Sequence, residues 1–180
     1  MSKGSTYITQ PRFMKAIVAV DDNWGIGYKG DLLAKVPEDM KHFKNQTSNS
    51  VIIMGRRTLE SFPNKQPLPN RTNIILTRDP NYKVNGDNAI VVNSLDSAYS
   101  EAYRFANHGK RIYVIGGGEI YRYFLQNCDV VYVTKFYKSF PNVDTYFPNL
   151  ENEGFFPVVM SDIREHDGLK YKFITYKYNK

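Results

Sequence analysis

The sequence predicts an α/β protein: a mixed, mostly parallel twisted sheet between flanking helices, three layers in all. Three observations carry this. Short, continuous, β-branched runs alternate with helical patterns, as in strands that are covered on both faces and joined by crossover helices. The last two apolar runs are joined without a helix, around Asp167-Gly168, which predicts an antiparallel C-terminal hairpin at an edge of the sheet. No internal repeat and no Gly- or Ser-rich linker divides the chain, and 180 residues suit one domain.

In order, the expected strands are 15–20, 51–55, 73–77, 89–92, 111–115, 130–135, 156–161 and 170–178. The expected helices are 37–47, 57–62, 95–107 and 118–126. Val51-Ile52-Ile53 and Ile112-Tyr113-Val114-Ile115 are apolar on successive residues, so neither face faces water. The stretches 21–36 and 62–71 read as loops, the second for its three prolines. Residues 1–13 are polar and aperiodic and contain Pro11. They are expected to be a disordered leader or tag before a single domain at 14–180, with Met14 as a natural second start.

The composition excludes several classes. With 42% hydrophobic and 14% aromatic residues the chain can bury a core, so disorder is excluded. No apolar run approaches the ~18–20 residues that span a bilayer, so no membrane partner is expected. The single cysteine, Cys128, excludes an intrachain disulfide and a thiolate metal cage, and it suits a reducing, cytoplasmic setting. A net charge of +6 favours anionic partners: nucleotides, polyglutamates or, less specifically, nucleic acid.

Helix 37–47 opens with Pro37, Glu38 and Asp39, as a helix N-terminus does. Its expected inward stripe is Val36, Met40, Phe43 and Thr47, with Asp39 on or beside it. A carboxylate in an apolar wall suits a cationic or amidine-like heterocycle. An acid that only stabilises the helix start is the commoner meaning of such a residue. The runs 51–55 and 73–77 end in Arg56-Arg57-Thr58 and Thr77-Arg78. If these strands are neighbours, three arginines and two hydroxyls share one sheet edge, where an arginine can pair with a 2′-phosphate. A solvated basic rim explains either pair alone. Gly116-Gly117-Gly118 stands between a strand and a helix, where a backbone without Cβ atoms lets a pyrophosphate approach or simply makes a tight turn. It is not the dinucleotide fingerprint G-x-G-x-x-G. His42, His108 and His166 lack ligand spacing, so no metal is expected. The fourteen tyrosines are scattered rather than forming a stacking platform, so no nucleic acid is expected either.

Taken in order, these stretches resemble the dihydrofolate reductase family, from Ile17 to about Phe147 and more loosely to the C-terminus. The matching pieces are Ile17-Val18-Ala19-Val20, Gly25-Ile26-Gly27, Gly30-Asp31-Leu32, Pro37 to Phe43, Ile53 to Ser61, Pro67 to Arg78, Val114 to Gly118, Val133-Thr134 and Asp144 to Phe147. The resemblance implies NADPH-dependent reduction of 7,8-dihydrofolate, as in one-carbon metabolism, by a monomer that binds dihydrofolate and antifolate inhibitors; the absence of targeting signals gives a cytoplasmic location. It also implies roles residue by residue. Asp39 binds the pterin 2-amino group and N3, and Thr134 bonds the same end. Ile17, Ala19, Met40, Phe43, Leu68, Ile115 and Tyr121 line the substrate pocket, and Arg71 takes the glutamate α-carboxylate. Arg56, Thr77 and Arg78 hold the 2′-phosphate of NADPH, with Arg57 and Thr58 on the adenosine and pyrophosphate side. Ala19, Ile26, Gly55, Leu76, Ile115, Gly116, Gly117, Gly118, Glu119 and Ile120 complete the cofactor-binding set. The resemblance also implies a cis Gly116-Gly117 peptide and an adenosine lobe near 50–109, inserted into a larger loop lobe.

Two departures stand out. Where the family has Pro-Trp after the leucine of its lid loop, this chain has Leu33-Ala34, and its only tryptophan is Trp24. The expected result is a larger pocket and weaker trimethoprim-like binding, a form of drug resistance. Val143 stands before Asp144, where many bacterial members have glycine. Two alternatives remain: an NADPH-dependent reductase of a ribosylated pyrimidine in flavin synthesis, which would not need Asp39 and Arg71 in these places, and a folate-binding protein without catalysis.

Overall fold

The computed structural model describes residues 10–179. Its elements run β1 (Met14–Val20), β2 (Gly25–Tyr28), β3 (Asp31–Leu32), α1 (Pro37–Thr47), β4 (Val51–Gly55), α2 (Arg56–Glu60), β5 (Thr72–Leu76) and β6 (Ala89–Val92). They continue through α3 (Leu95–Ala106), β7 (Ile112–Gly116), α4 (Gly118–Phe124), β8 (Cys128–Phe136), β9 (Thr145–Tyr146), β10 (Phe155–Met160), β11 (Arg164–His166) and β12 (Leu169–Tyr178).

Alternate residues of the central strands serve two different cores, which is why those strands are apolar throughout. Val51 and Ile53 pack with Ala98 and Ala102 of α3 and with Ile120 and Phe124 of α4. Ile52 and Met54 point the other way, against Leu59 of α2 and Phe43 of α1. The main sheet has the order β10-β12-β8-β1-β7-β4-β5-β6, with β11 added beside β12. The pairs from β8 through β1, β7, β4 and β5 to β6 are parallel; β12 runs antiparallel to β8, β10 and β11. The three-layer, mostly parallel α/β expectation therefore holds. Segment 50–109 forms the wing β4-β5-β6 with α2 and α3.

Several boundaries differ from the expectation. Asp167 and Gly168 do make a tight turn, both with positive φ, but it joins β11 to β12. Strand β12 is internal, and β10 is the edge. Helix 118–126 divides into α4 and a 3-10 turn at Leu125–Asn127, ahead of β8. Stretch 21–36 is not only loop: β2 and β3 form a second sheet with β9 in the order β3-β2-β9. The domain begins earlier than residue 14. Residues 1–9 lie outside the described residues, but Arg12 donates to the carbonyls of Leu125 and Cys128 at 3.1 and 2.9 Å and stacks on Tyr178. Phe13 packs edge-on against Tyr99 and Tyr103. Cys128 is fully buried, and burial pushes its thiol up, so it stays protonated and unreactive.

Candidate active site

Helix α1 lies across one face of the sheet. Near its start Asp39 meets Thr134 of β8, whose hydroxyl donates to Asp39 Oδ1 at 2.6 Å. Near its end Gln46 donates to the Tyr113 hydroxyl on β7 at 2.9 Å. Ala19 and Thr134 are register partners on β1 and β8, and Ile17 pairs with Tyr132, so the acid faces an apolar floor. Among the described residues, Asp39 Oδ2 accepts no hydrogen bond and stays available to a ligand. Burial pushes the Asp39 carboxyl above its ordinary range, partly offset by the Thr134 hydroxyl and by His42.

The inward stripe needs one correction: Met40 is 56% exposed. Val36 is the extended residue before the helix (φ −112°), so helical spacing counted from it misplaces Met40. The facing positions are Asp39, Phe43 and Thr47, each four residues apart. Tyr121 is buried, its hydroxyl donates to the Ile17 carbonyl at 2.7 Å, and its ring packs edge-on to Phe147. It supports β1 from beneath the site, and burial pushes its phenol up.

Arg71 is 7% exposed. It donates from Nε to the Thr47 hydroxyl at 2.9 Å, from Nη1 to the Pro69 carbonyl at 2.7 Å and from Nη2 to the Lys44 carbonyl at 3.2 Å. It has no carboxylate partner among the described residues, and burial lowers its pKa. A buried guanidinium held by neutral acceptors is poised for an anionic ligand. The preceding loop is pinned by a residue that carried no signal in the sequence. The Asn73 side chain, fully buried in β5, accepts from Leu68 N and donates to Leu68 O, both at 3.0 Å.

The cofactor candidates gather at the carboxyl ends of β4, β5 and β7. Gly55 and Leu76 are register partners, which brings Arg56, Arg57, Thr58, Thr77 and Arg78 to one edge. Arg56 lies over the Tyr82 ring at 4.2 Å and pairs with Glu60 and Asp79 at 3.3 and 3.7 Å. The Arg78 side chain is 92% exposed and 3.7 Å from Glu119. Thr77 is buried, and its hydroxyl accepts from the Asp79 backbone. The Gly116-Gly117 peptide is cis. A Cβ on Gly118 would stand 2.7 Å from Thr145 Cγ2, so this turn and β9 are in contact only because residue 118 has no side chain.

The segment 21–29 is tied to the 139–147 segment. Asp21 accepts from the backbone of Asn23, Gly25 and Phe140, and Asp144 accepts from Lys29 N at 2.9 Å. The Lys29 bond, with help from the Thr145 hydroxyl and Arg57, holds the Asp144 carboxyl below its ordinary range. Val143 fills the space over Gly25, where a Cβ would stand 2.8 Å from Val143 Cγ1.

A family model described as dihydrofolate reductase matches residues 13–179. The chain belongs to the dihydrofolate reductase family. A dihydrofolate reductase of Aedes albopictus is 32% identical over 179 residues, covering 89% of this chain and 95% of the relative. The bifunctional dihydrofolate reductase-thymidylate synthase of Daucus carota is 34% identical over 94% of this chain, which spans only 35% of that relative. The solved structure of dihydrofolate reductase from Enterococcus faecalis, complexed with NADP(H) and RAB-propyl, superposes with a TM-score of 0.80. It is 30% identical, over 94% of this chain and 99% of that one.

Proposed function

We propose that the chain reduces 7,8-dihydrofolate to 5,6,7,8-tetrahydrofolate with NADPH, and that Asp39 and Thr134 anchor the pterin. The observation that carries this is one carboxylate in an apolar wall, held at Oδ1 by a single hydroxyl and open at Oδ2. Ionised, Asp39 accepts from the pterin 2-amino group and N3, a planar donor pair that suits a carboxylate. NADPH, when bound, supplies the hydride that reaches C6 of the substrate. The Asp39 charge fixes the ring and raises the fraction protonated at N5, with water delivering the proton. Ile17, Ala19, Phe43, Leu68 and Ile115 give the ring apolar walls, and Met40 stands at their exposed margin.

Arg71 takes the glutamate α-carboxylate. Its three protein acceptors fix the plane of the fork, and Nη1 and Nη2 each keep one further N–H. The rim fits a phosphate-bearing cofactor. Arg56 and Arg78 now pair with carboxylates near the surface, contacts worth little that a 2′-phosphate replaces at small cost. Arg56, Thr77 and Arg78 therefore select NADPH over NADH. Arg57 and Thr58 lie toward the pyrophosphate, and the stretch Gly116 to Ile120 approaches the cofactor closely. Action as a monomer belongs to the same reading, and the single buried thiol suits the cytoplasm.

The test follows NADPH oxidation with and without dihydrofolate, beside Asp39→Asn and an NADH control. Oxidation that requires dihydrofolate, prefers NADPH and collapses in Asp39→Asn supports the whole reading. Folate binding with no oxidation would overturn the enzymatic part, and full activity in Asp39→Asn would move the anchor elsewhere.

A further inference from the structure

The sequence set His42 aside as a scattered histidine; the structure places it beside the acid. It lies one turn beyond Asp39 on α1, and residues three apart are neighbours on a helix surface. Its half-buried ring leans on Phe173 of β12, with centroids 4.4 Å apart. Phe173 is the register partner of Thr134, so the two α1 side chains rest on neighbouring strands at one level of the sheet. Neither His42 ring nitrogen bonds to a described residue.

The other charges near this corner are engaged elsewhere. Glu38 pairs with Arg164 of β11 and accepts from the Tyr171 hydroxyl at 3.1 Å. The Arg164 guanidinium also lies 5.3 Å from the Phe173 ring centroid and pairs with Asp162. Lys172 and Lys135 reach the Tyr137 ring on the opposite face, and Lys41 is exposed. Asp39 is the charge that acts on His42, and His42 is the ionisable group that lowers Asp39. Burial drives both toward their neutral forms, the acid upward and the imidazole downward, so their titration ranges approach each other.

We propose that His42 is a positioning residue for the reaction: seated on Phe173, it gains charge as the pH falls and keeps the neighbouring Asp39 carboxylate ionised for the pterin. A proton held on His42 favours the charged form of the carboxylate beside it, which preserves the anchor as the pH falls. The catalytic consequence rests on the reading of Asp39 as the pterin anchor; the electrostatic coupling does not.

The experiment titrates the Asp39 side-chain carboxyl carbon and the His42 ring protons by NMR in the full chain, with the pH profile of kcat/KM measured alongside. His42→Phe keeps an aromatic ring against Phe173 without the charge, and His42→Gln is a second variant without it. In both, the Asp39 titration is expected to move up by about half a unit to one unit. In Asp39→Asn, the His42 titration is expected to move down by the same amount, because the coupling is reciprocal. On the acid side, kcat/KM falls in both His42 variants by roughly threefold to tenfold, the same shift read as a carboxylate fraction. It is unchanged above neutrality. Coincident Asp39 titrations in wild type and His42→Phe would overturn the proposal. So would an equal loss of kcat/KM at every pH, which marks packing alone. A moved titration with an unmoved pH profile would keep the coupling and overturn the pterin-anchor reading.

Discussion

The two ends of the candidate site handle charge in opposite ways. At the proposed pterin end one carboxylate sits beside Ile17, Ala19 and Phe43, with a single hydroxyl bonded at 2.6 Å. At the proposed phosphate end three arginines line an edge near the surface, and two of them, Arg56 and Arg78, pair with neighbouring carboxylates. A buried charge acts through a low effective dielectric, so each group there matters and its ionisation is tuned by its neighbours. Exposed charges are screened over ~8 Å at physiological ionic strength, so affinity there needs several groups and each alone contributes little. On the proposed function, selectivity for the heterocycle is thus concentrated in one residue, and selectivity for the cofactor phosphate is spread over a rim.

Asp39→Asn tests the concentrated end most severely. The expected loss in kcat/KM is about 10²–10⁴-fold, the range for a positioned acid–base group. Stability should move the other way. Burial raises the Asp39 carboxyl, so the folded chain holds that proton more tightly than the unfolded chain. Stability is therefore lost as the pH rises from the ordinary carboxylate range through the raised folded value. Asparagine removes that penalty and still accepts from Thr134. The variant should be more stable near neutrality by about 1 kcal/mol, within the range of single stabilising changes, and the gap should close at acid pH. Thermal melts across pH decide this; a destabilised Asp39→Asn would show that the carboxylate holds the fold together.

Thr134→Val probes the same end more gently. The hydroxyl favours the carboxylate, so its removal raises the Asp39 carboxyl further. A hydrogen bond to a charged group is worth about 1.5–3 kcal/mol, so kcat/KM should fall roughly tenfold or more at acid pH and recover partly as the pH rises. A flat loss across pH would mean that the hydroxyl serves the ligand rather than the acid.

At the rim, Arg78→Ala should raise KM for NADPH by no more than about tenfold, as suits an exposed ion pair. Arg56→Ala should cost somewhat more, since Tyr82 holds that guanidinium in place. Both effects should shrink as salt is added, whereas the Asp39→Asn deficit should not. A salt-independent Arg78 effect would erase the contrast between the two ends.

All eight expected strands and all four expected helices form, because runs such as Val51-Ile52-Ile53 serve two cores and carry a signal on every residue. The acid and the arginine rim were legible because each follows a start or stop signal: Pro37 before Asp39, and strand ends before Arg56 and Arg78. The small sheet of β2, β3 and β9 was not, because backbone pairing across a long separation leaves no hydrophobic period in the sequence. Tyr82 under Arg56 and Asn73 pinning Leu68 depend on loop paths that local patterns do not encode. The His42 spacing from Asp39 was visible, but its meaning required Phe173, far along the chain.

The smallest effect expected here concerns the wall beside the acid. Ala34 is half-buried in a cluster with Val36, Phe136, Phe140, Tyr171 and Phe173, the ring that carries His42. An indole there would add apolar surface at the pterin end without touching the rim. Covering ~30 Å² more of a ligand at ~25 cal/mol per Å² is worth ~0.75 kcal/mol, roughly threefold in affinity. On the proposed function, a small diaminopyrimidine would depend on the acid end alone, whereas dihydrofolate would spread its contacts along the cleft to Arg71. Ala34→Trp should therefore tighten trimethoprim-like inhibition by about threefold while changing KM for dihydrofolate less and KM for NADPH not at all. An inhibition constant no tighter in Ala34→Trp than in wild type would mean that the alanine leaves no usable space in the wall, and that the two ends differ in electrostatics alone.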